Sequence, residues 1–292
     1  MSDRLDVLKT YKLFIGGAFP RTESGRSEPI VGLDGRVLGH SCNASRKDLR
    51  EAVVAARKAL PGWSGATAYN RGQILYRMAE MLEGKRAEVA GLLESVAGGA
   101  GASGLAPQRE VELAVDRLVA FAGWSDKIAQ VLGSQNPVAG PYWNISTPEP
   151  TGVIGVVPGR GEPSLLGMVS LFAPAMCVGN CVVIVTQGNP AVASVLGEVM
   201  ATSDLPAGAA NILTGALDEL VPVLAAHRDV DGIHAGAVGD ELGKAIGTGV
   251  AENLKRVKIR PKIDHADAIA CHAPSWVEPF VEFKTVWHPV GA

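Results

Sequence analysis

The sequence predicts an α/β fold: a doubly wound, Rossmann-like parallel sheet that carries a separate β arm. Three observations predict it. From residue 150 onward, short apolar runs alternate with helix-length segments. Most of the runs are largely apolar along their length rather than on every second residue, the mark of strands covered on both faces. The last residues, VEFKTVWHPVG (281–291), instead alternate in the manner of a strand and follow a proline-bearing link.

The expected central strands are 152–157, 181–185, 210–213, 232–234 and 257–259, with helices over 164–176, 191–203, 217–226 and 241–248 between them. Upstream, residues 11–21 read as a short hairpin turning at Gly16-Gly17. Ser45-Arg-Lys-Asp48 reads as a capping box opening a helix that ends at Leu60, before Pro61-Gly62. A long amphipathic helix is expected over 69–96, from Ile74, Leu75, Met78, Met81 and Leu82, and another over 111–129. Residues 131–148 are extended and rich in Gly and Pro. The terminal strand needs an edge to pair with, and another subunit is the simplest source of one. The expected organisation is an α/β domain of residues 1–129 and 150–262, an arm of 130–149 and 276–292, and a linker of 263–275.

Composition excludes several classes. The chain has 292 residues, 47% hydrophobic and 20% charged, with a net charge of -3. That is enough apolar material for a core, and there is no basic excess to hold nucleic acid. MSDRLDVLKTYK has no apolar leader region, and the longest apolar run, 165–178, is interrupted by Gly167, Ser170 and Pro174 and is too short for a membrane span. The four cysteines form no CxxC pair, and Cys177 and Cys181 sit in apolar surroundings. A cytoplasmic, membrane-free protein is expected.

Each candidate motif has a plain alternative. GAGASG (99–104) fits the dinucleotide pattern but follows a helix, so it reads as a link. Asp264, His265, Asp267, Cys271 and His272 are metal-ligand types at no standard spacing, so they read as a solvated connector and no metal is expected. No G-x-S-x-G surrounds Ser164, Ser170 or Ser194. His227 and His234 read as a surface and a core histidine. The turn Pro158-Gly159-Arg160-Gly161-Glu162 could bind an anion on free amides helped by Arg160, or be only a tight strand-to-helix turn; both readings stand.

In order along the chain, YKLFIGGAF, VVAARKALPGWSGATAYNRGQILYRMAEMLE, PTGVIGVV, APAMCVGNCVVIV, SDLPAGAANILTG, HRDVDGI, NLKRV and FKTVW resemble the aldehyde dehydrogenase family. The resemblance implies that family's nucleotide-binding fold, and an oligomerisation strand at FKTVW. It also implies losses. Where the family has Pro-Trp-Asn, with its oxyanion-binding Asn, this chain has Pro158, Gly159 and Arg160. The ribose-gripping Lys-Pro-Ser-Glu is Val185-Thr186-Gln187-Gly188. The Phe-Thr-Gly-Ser turn is His234-Ala235-Gly236-Ala237. Glu-Leu-Gly-Gly-Lys, with its general base, is Arg260-Pro261-Lys262-Ile263. The linker 263–275 stands where the catalytic domain is expected, and Cys271 lacks the Gly-Gln-x-Cys context, so it reads as a tail cysteine without partners.

These expectations follow from the resemblance. The chain is a catalytically degenerate, truncated member with no catalytic residues. It assembles through Tyr142, Trp143, Phe283, Lys284, Thr285, Val286 and Trp287, as a homo-oligomer or with a full-length aldehyde dehydrogenase that it stabilises or regulates. No cofactor is expected, because the ribose clamp is lost. NAD(P) stays open as an alternative, with Gly159, Arg160, Gly161 and Gly236 as its weak candidate contacts. The two other readings are an NAD(P)-dependent enzyme completed by a partner chain and a nucleotide or anion sensor.

Overall fold

In a computed structural model that describes residues 7–96 and 104–291, the five expected strands form the central sheet, the edge strand β10 being largely exposed. They are β6 (Val153–Val157), β7 (Cys181–Thr186), β8 (Ala210–Thr214), β9 (Gly232–Ala235) and β10 (Arg256–Ile259). All neighbours pair in parallel, in the order β10-β9-β6-β7-β8. Every residue of β6, β7, β8 and β9 is buried, as strands sandwiched between helical layers must be. The order reverses at β6: the chain leaves it toward β7 and β8, then returns to lay β9 on its other side. In such sheets that reversal opens a crevice at the carboxyl ends of the strands.

One face is covered by α1 (Arg46–Gly65) and α8 (Leu217–Ala226), with α9 (Gly239–Ala251) against α8. The other carries α6 (Ser164–Cys177), buried along its whole length, and α7 (Pro190–Ala201). Over these lie α2 (Ala68–Gly84), α3 (Arg86–Ser95) and α4 (Pro107–Trp124). No helix of the described residues is long and apolar enough to cross a membrane. The GAGASG stretch lies outside the described residues apart from Gly104.

Four local expectations are corrected. α1 does not stop before Pro61 but runs through it to Gly65. An interior proline costs ~3 kcal/mol, and the fully buried Trp63 in the following turn offsets it. The long helix over 69–96 is two, broken at Lys85, whose φ of -100° and ψ of 8° are not helical. The helix expected over 111–129 begins earlier, at Pro107, and ends at Trp124, with a short α5 (Ile128–Leu132) after it. The expected hairpin over 11–21 is only a tight turn with one bridge, Ile15 to Ala18, while Phe14 bridges to Ile212 of β8. The strands nearby are β1 (Lys9–Tyr11), β2 (Ser27–Val31) and β3 (Val37–Cys42), in the order β1-β3-β2.

The terminal strand β11 (Val281–Pro289) pairs antiparallel with β5 (Tyr142–Pro150) of its own chain, from Val281–Pro150 to Pro289–Tyr142. A short β4 (Ser134–Asn136) completes that sheet on the other side of β5. A second subunit is therefore not needed to supply the pairing edge, which corrects that expectation. The outer edge of β11 has no partner strand among the described residues.

Candidate functional site

The crevice lies where β6 and β9 end side by side, between the turn 158–162 and Gly236-Ala237. The amides of Gly159 and Ala237, which face each other across it, are already bonded. Glu162 folds back so that one carboxylate oxygen accepts from Gly159 N (2.9 Å) and the other from Ala237 N (3.1 Å). One side chain thus ties together the ends of the two strands at the reversal. Gly236 is required by this contact, because a Cβ there would lie 2.2 Å from a Glu162 oxygen. Burial raises the Glu162 pKa above the ordinary carboxylate range, against the two amide bonds that favour the charge.

The next free amides, at the start of α6, are also taken. Pro163 at the N-cap offers no side-chain acceptor, and the fully buried Glu110 of α4 fills the role. One of its oxygens accepts from Leu165 N (2.7 Å) and Leu166 N (3.2 Å). Arg160, expected to add charge, is exposed and ion-paired with Asp218, and its Nε donates to Gln187 Oε1 (3.3 Å). Gln187 lies in the stretch where the ribose clamp is expected. It also accepts from Leu217 N (3.4 Å), so the cleft of about 240 Å³ beside the turn is crossed by this chain's own bonds. Gly161 takes a φ of +93°, which a glycine accommodates without strain.

Beside the crevice, at the end of β10, Arg260 donates from Nε to His234 Nε2 (2.8 Å). His234 Nδ1 lies 2.8 Å from Leu171 O and must be the protonated nitrogen, since Nε2 is the acceptor. His234 is fully buried, and burial together with the Arg260 charge holds its pKa well below the usual value, so the ring is neutral. The guanidinium lies 3.5 Å over the Trp276 ring. The position where the resemblance implies a general base therefore holds a cation bonded to a neutral imidazole. Burial lowers Arg260 to about 10, still charged at neutral pH.

The connector 263–275 is exposed over most of its length, Asp264 and Asp267 included, as expected, but two of its residues turn inward. His265 and Cys271 are buried against α4 and α6. The fully buried Arg117 donates to Ser170 Oγ (2.6 Å) and to His265 O (3.0 Å). Ser170 Oγ also lies 3.2 Å from His265 Nδ1, in a hydrogen bond whose donor is set by the histidine tautomer. Cys271 has a partner after all: its Sγ donates to Asp264 O (3.3 Å), and burial raises its pKa, the reverse of what a nucleophilic thiolate needs. No group of three or more His, Cys, Asp or Glu among the described residues is placed to hold a metal ion.

The expected assembly residues lie together on the arm. Phe283, Thr285 and Trp287 share one face of the β5–β11 ribbon with Tyr142, whose ring meets Trp287 edge-on at 5.8 Å. Lys284 and Val286 share the other with Ile145 and Trp143. Trp287 is 57% and Trp143 53% exposed, and Phe283, Val286, Tyr142 and Ile145 are exposed as well. The ribbon thus shows apolar side chains on both faces.

Comparison with known proteins agrees with the fold. The aldehyde dehydrogenase family profile matches residues 21–260. Retinal dehydrogenase 2 of Homo sapiens is 33% identical over 272 residues, covering 89% of this chain and 51% of the relative. Cytosolic aldehyde dehydrogenase 1 of Elephantulus edwardii is 31% identical over 268 residues, covering 88% and 52%. The NAD+ complex of an aldehyde dehydrogenase from Bacillus cereus superposes with a TM-score of 0.77 at 25% identity, covering 86% of this chain and 50% of that one. This chain thus spans about half the length of the relatives it matches. By ordered sequence, by fold and by family profile, the chain belongs to the aldehyde dehydrogenase family.

Proposed function

We propose that this chain is a non-catalytic subunit of the aldehyde dehydrogenase family. In this reading it assembles through its β5–β11 arm, with itself or with a full-length aldehyde dehydrogenase, and stabilises or regulates that assembly. The observation that carries the reading is the Glu162 carboxylate on the Gly159 and Ala237 amides. A dinucleotide phosphate at this crevice needs those donors. It would meet a carboxylate there, so the residues as arranged do not fit the cofactor. Arg160 bound to Asp218, and Arg260 where the resemblance implies the base, point the same way.

The assembly half of the reading rests on the arm. A ribbon apolar on both faces, with one unpaired edge, has more sticky surface than its own chain covers. Strand addition along the free edge of β11 would supply main-chain hydrogen bonds to a partner.

The test of the first half is a fluorescence titration of the purified chain with NADH and with NADPH. No enhancement is expected at micromolar nucleotide. Saturable enhancement would overturn the reading and favour an enzyme completed by a partner chain or a nucleotide sensor. In Glu162→Ala the two amides are released. If the carboxylate is what blocks the turn, that variant gains nucleotide affinity over the wild type.

A further inference from the structure

At the opposite end of the sheet, three adjacent strands begin around a cleft of about 460 Å³. Thr151 precedes β6, Asp231 precedes β9 and Lys255 precedes β10, and all three line the cleft together with Arg228, Arg256 and Glu282. Its two carboxylates are spent. Asp231 accepts from Arg57 (2.6 Å) through one oxygen and from Val153 N (2.7 Å) through the other. Glu282 is held by both arms of the Arg256 guanidinium, at 2.5 and 2.7 Å. Two cations remain without a hydrogen bond or ion-pair contact among the described residues, although the Asp231 charge acts on Lys255. Lys255 Nζ is buried without a hydrogen-bond partner among the described residues. Exposed Arg228 has no hydrogen bond or ion pair among them. The Thr151 hydroxyl is likewise buried and unpartnered. Leu254, at the rim, holds a left-handed φ of +53°, which strains a non-glycine residue and is common beside binding sites.

We propose that this cleft binds a small tetrahedral oxyanion, either inorganic phosphate or the phosphate of a small monoester, through Lys255, Thr151 and Arg228. A buried ammonium and a buried hydroxyl without acceptors are each unfavourable. Three donors on separate elements are met at once by one group carrying several acceptor oxygens. A cation is excluded by the net positive lining, and an apolar ligand would leave both buried donors unmet. The cleft is large enough to admit the body of a small phosphate ester as well as the anion. This inference is independent of the nucleotide crevice, which lies at the other end of the strands.

The experiment is calorimetric titration of the purified full chain at low ionic strength, with inorganic phosphate in one arm and glycerol phosphate in the other. Saturable binding of at least one is expected, and the tighter of the two identifies the source. Lys255→Met is expected to weaken binding roughly tenfold or more, the scale of losing one charge-assisted bond. Thr151→Val keeps the side-chain shape, and Arg228→Ala alters only an exposed residue. Both are expected to weaken binding severalfold, and they decide the matter if Lys255→Met fails to fold. Arg160→Ala, at the far end of the sheet, is expected to bind like wild type. Absence of saturable binding by the wild type would overturn the proposal, with ordered water then satisfying the two donors. So would Thr151→Val and Arg228→Ala binding as tightly as the wild type.

Discussion

At the scale of single residues, the molecule turns on charged groups that were pulled inside and given local duties. Among the described residues Arg117 has no carboxylate hydrogen-bonded to it: a serine hydroxyl and a main-chain oxygen take its two terminal nitrogens, and its Nε is left buried without a partner. Its neighbour His265 is held to about 4 by burial and then by the Arg117 charge. In the unfolded chain this histidine takes up its proton near the ordinary 6.5, and in the folded chain only near 4. Between those values the unfolded state binds more protons, so the stability contributed here is lost as pH falls through that window. His234, also depressed, acts in the same direction. Glu110 and Glu162 are raised and act oppositely, since their protonated forms favour the folded state as pH falls toward their ordinary range. Urea denaturation at stepped pH from neutral to acid checks the histidine part. His265→Gln, which keeps an acceptor near Ser170, is expected to flatten the slope by about 1.4 kcal/mol per pH unit in that window. An unchanged slope would sink this account of the connector.

At the scale of elements, the start of α6 shows how a helix can begin without a local cap. Its N-cap is Pro163, and its two bonded amides are served by Glu110, far away in sequence on α4. Glu110→Ala strips those amides of their acceptor inside the core, and a loss of about 1–3 kcal/mol is expected. Glu110→Gln keeps an acceptor and is expected to lose less. Denaturant unfolding of both variants measures it, and equal stability of Glu110→Ala and wild type would refute the capping role. The strand β6 depends on its neighbours just as closely. Gly152, before its first residue, has a φ of +139°, and a Cβ there would lie 2.0 Å from an Asp231 oxygen.

At the scale of the whole molecule, the question is what covers the arm. Removing residues 280–292 would be a poor test of assembly, because Phe280 and Val281 are buried in the core of the described chain. Point changes separate the two effects. Trp287→Asp and Trp143→Asp alter exposed side chains on opposite faces of the ribbon. Each is expected to reduce the assembled mass in light scattering while leaving thermal unfolding near that of wild type. Retention of the full assembled mass by both variants would remove the arm from the proposed function.

What can be read from residues alone is carried by short periods and local chemistry. The strands β6 to β9 are legible because a strand buried on both faces is largely apolar, and their parallel direction follows from the helices between them. The Ser45–Asp48 capping box was legible and both its bonds are present. The β2–β3 hairpin carries a local signal too, the Asp34-Gly35 pair, with Gly35 at a φ of +79°. The turn at 158–162 was recognised, but its state was not. Whether its amides are free depends on Glu162 reaching Ala237, 75 residues on, and on Glu110 reaching α6, 55 residues on. No local pattern encodes such contacts. The pairing of β11 with β5, the burial of His265 and Cys271 and the run of α1 through Pro61 belong to the same class. Each is decided by surfaces that meet only after the sheet has formed. A single chain's periodicity records which face of an element is apolar, while the identity of what lies against that face is set by the packed core.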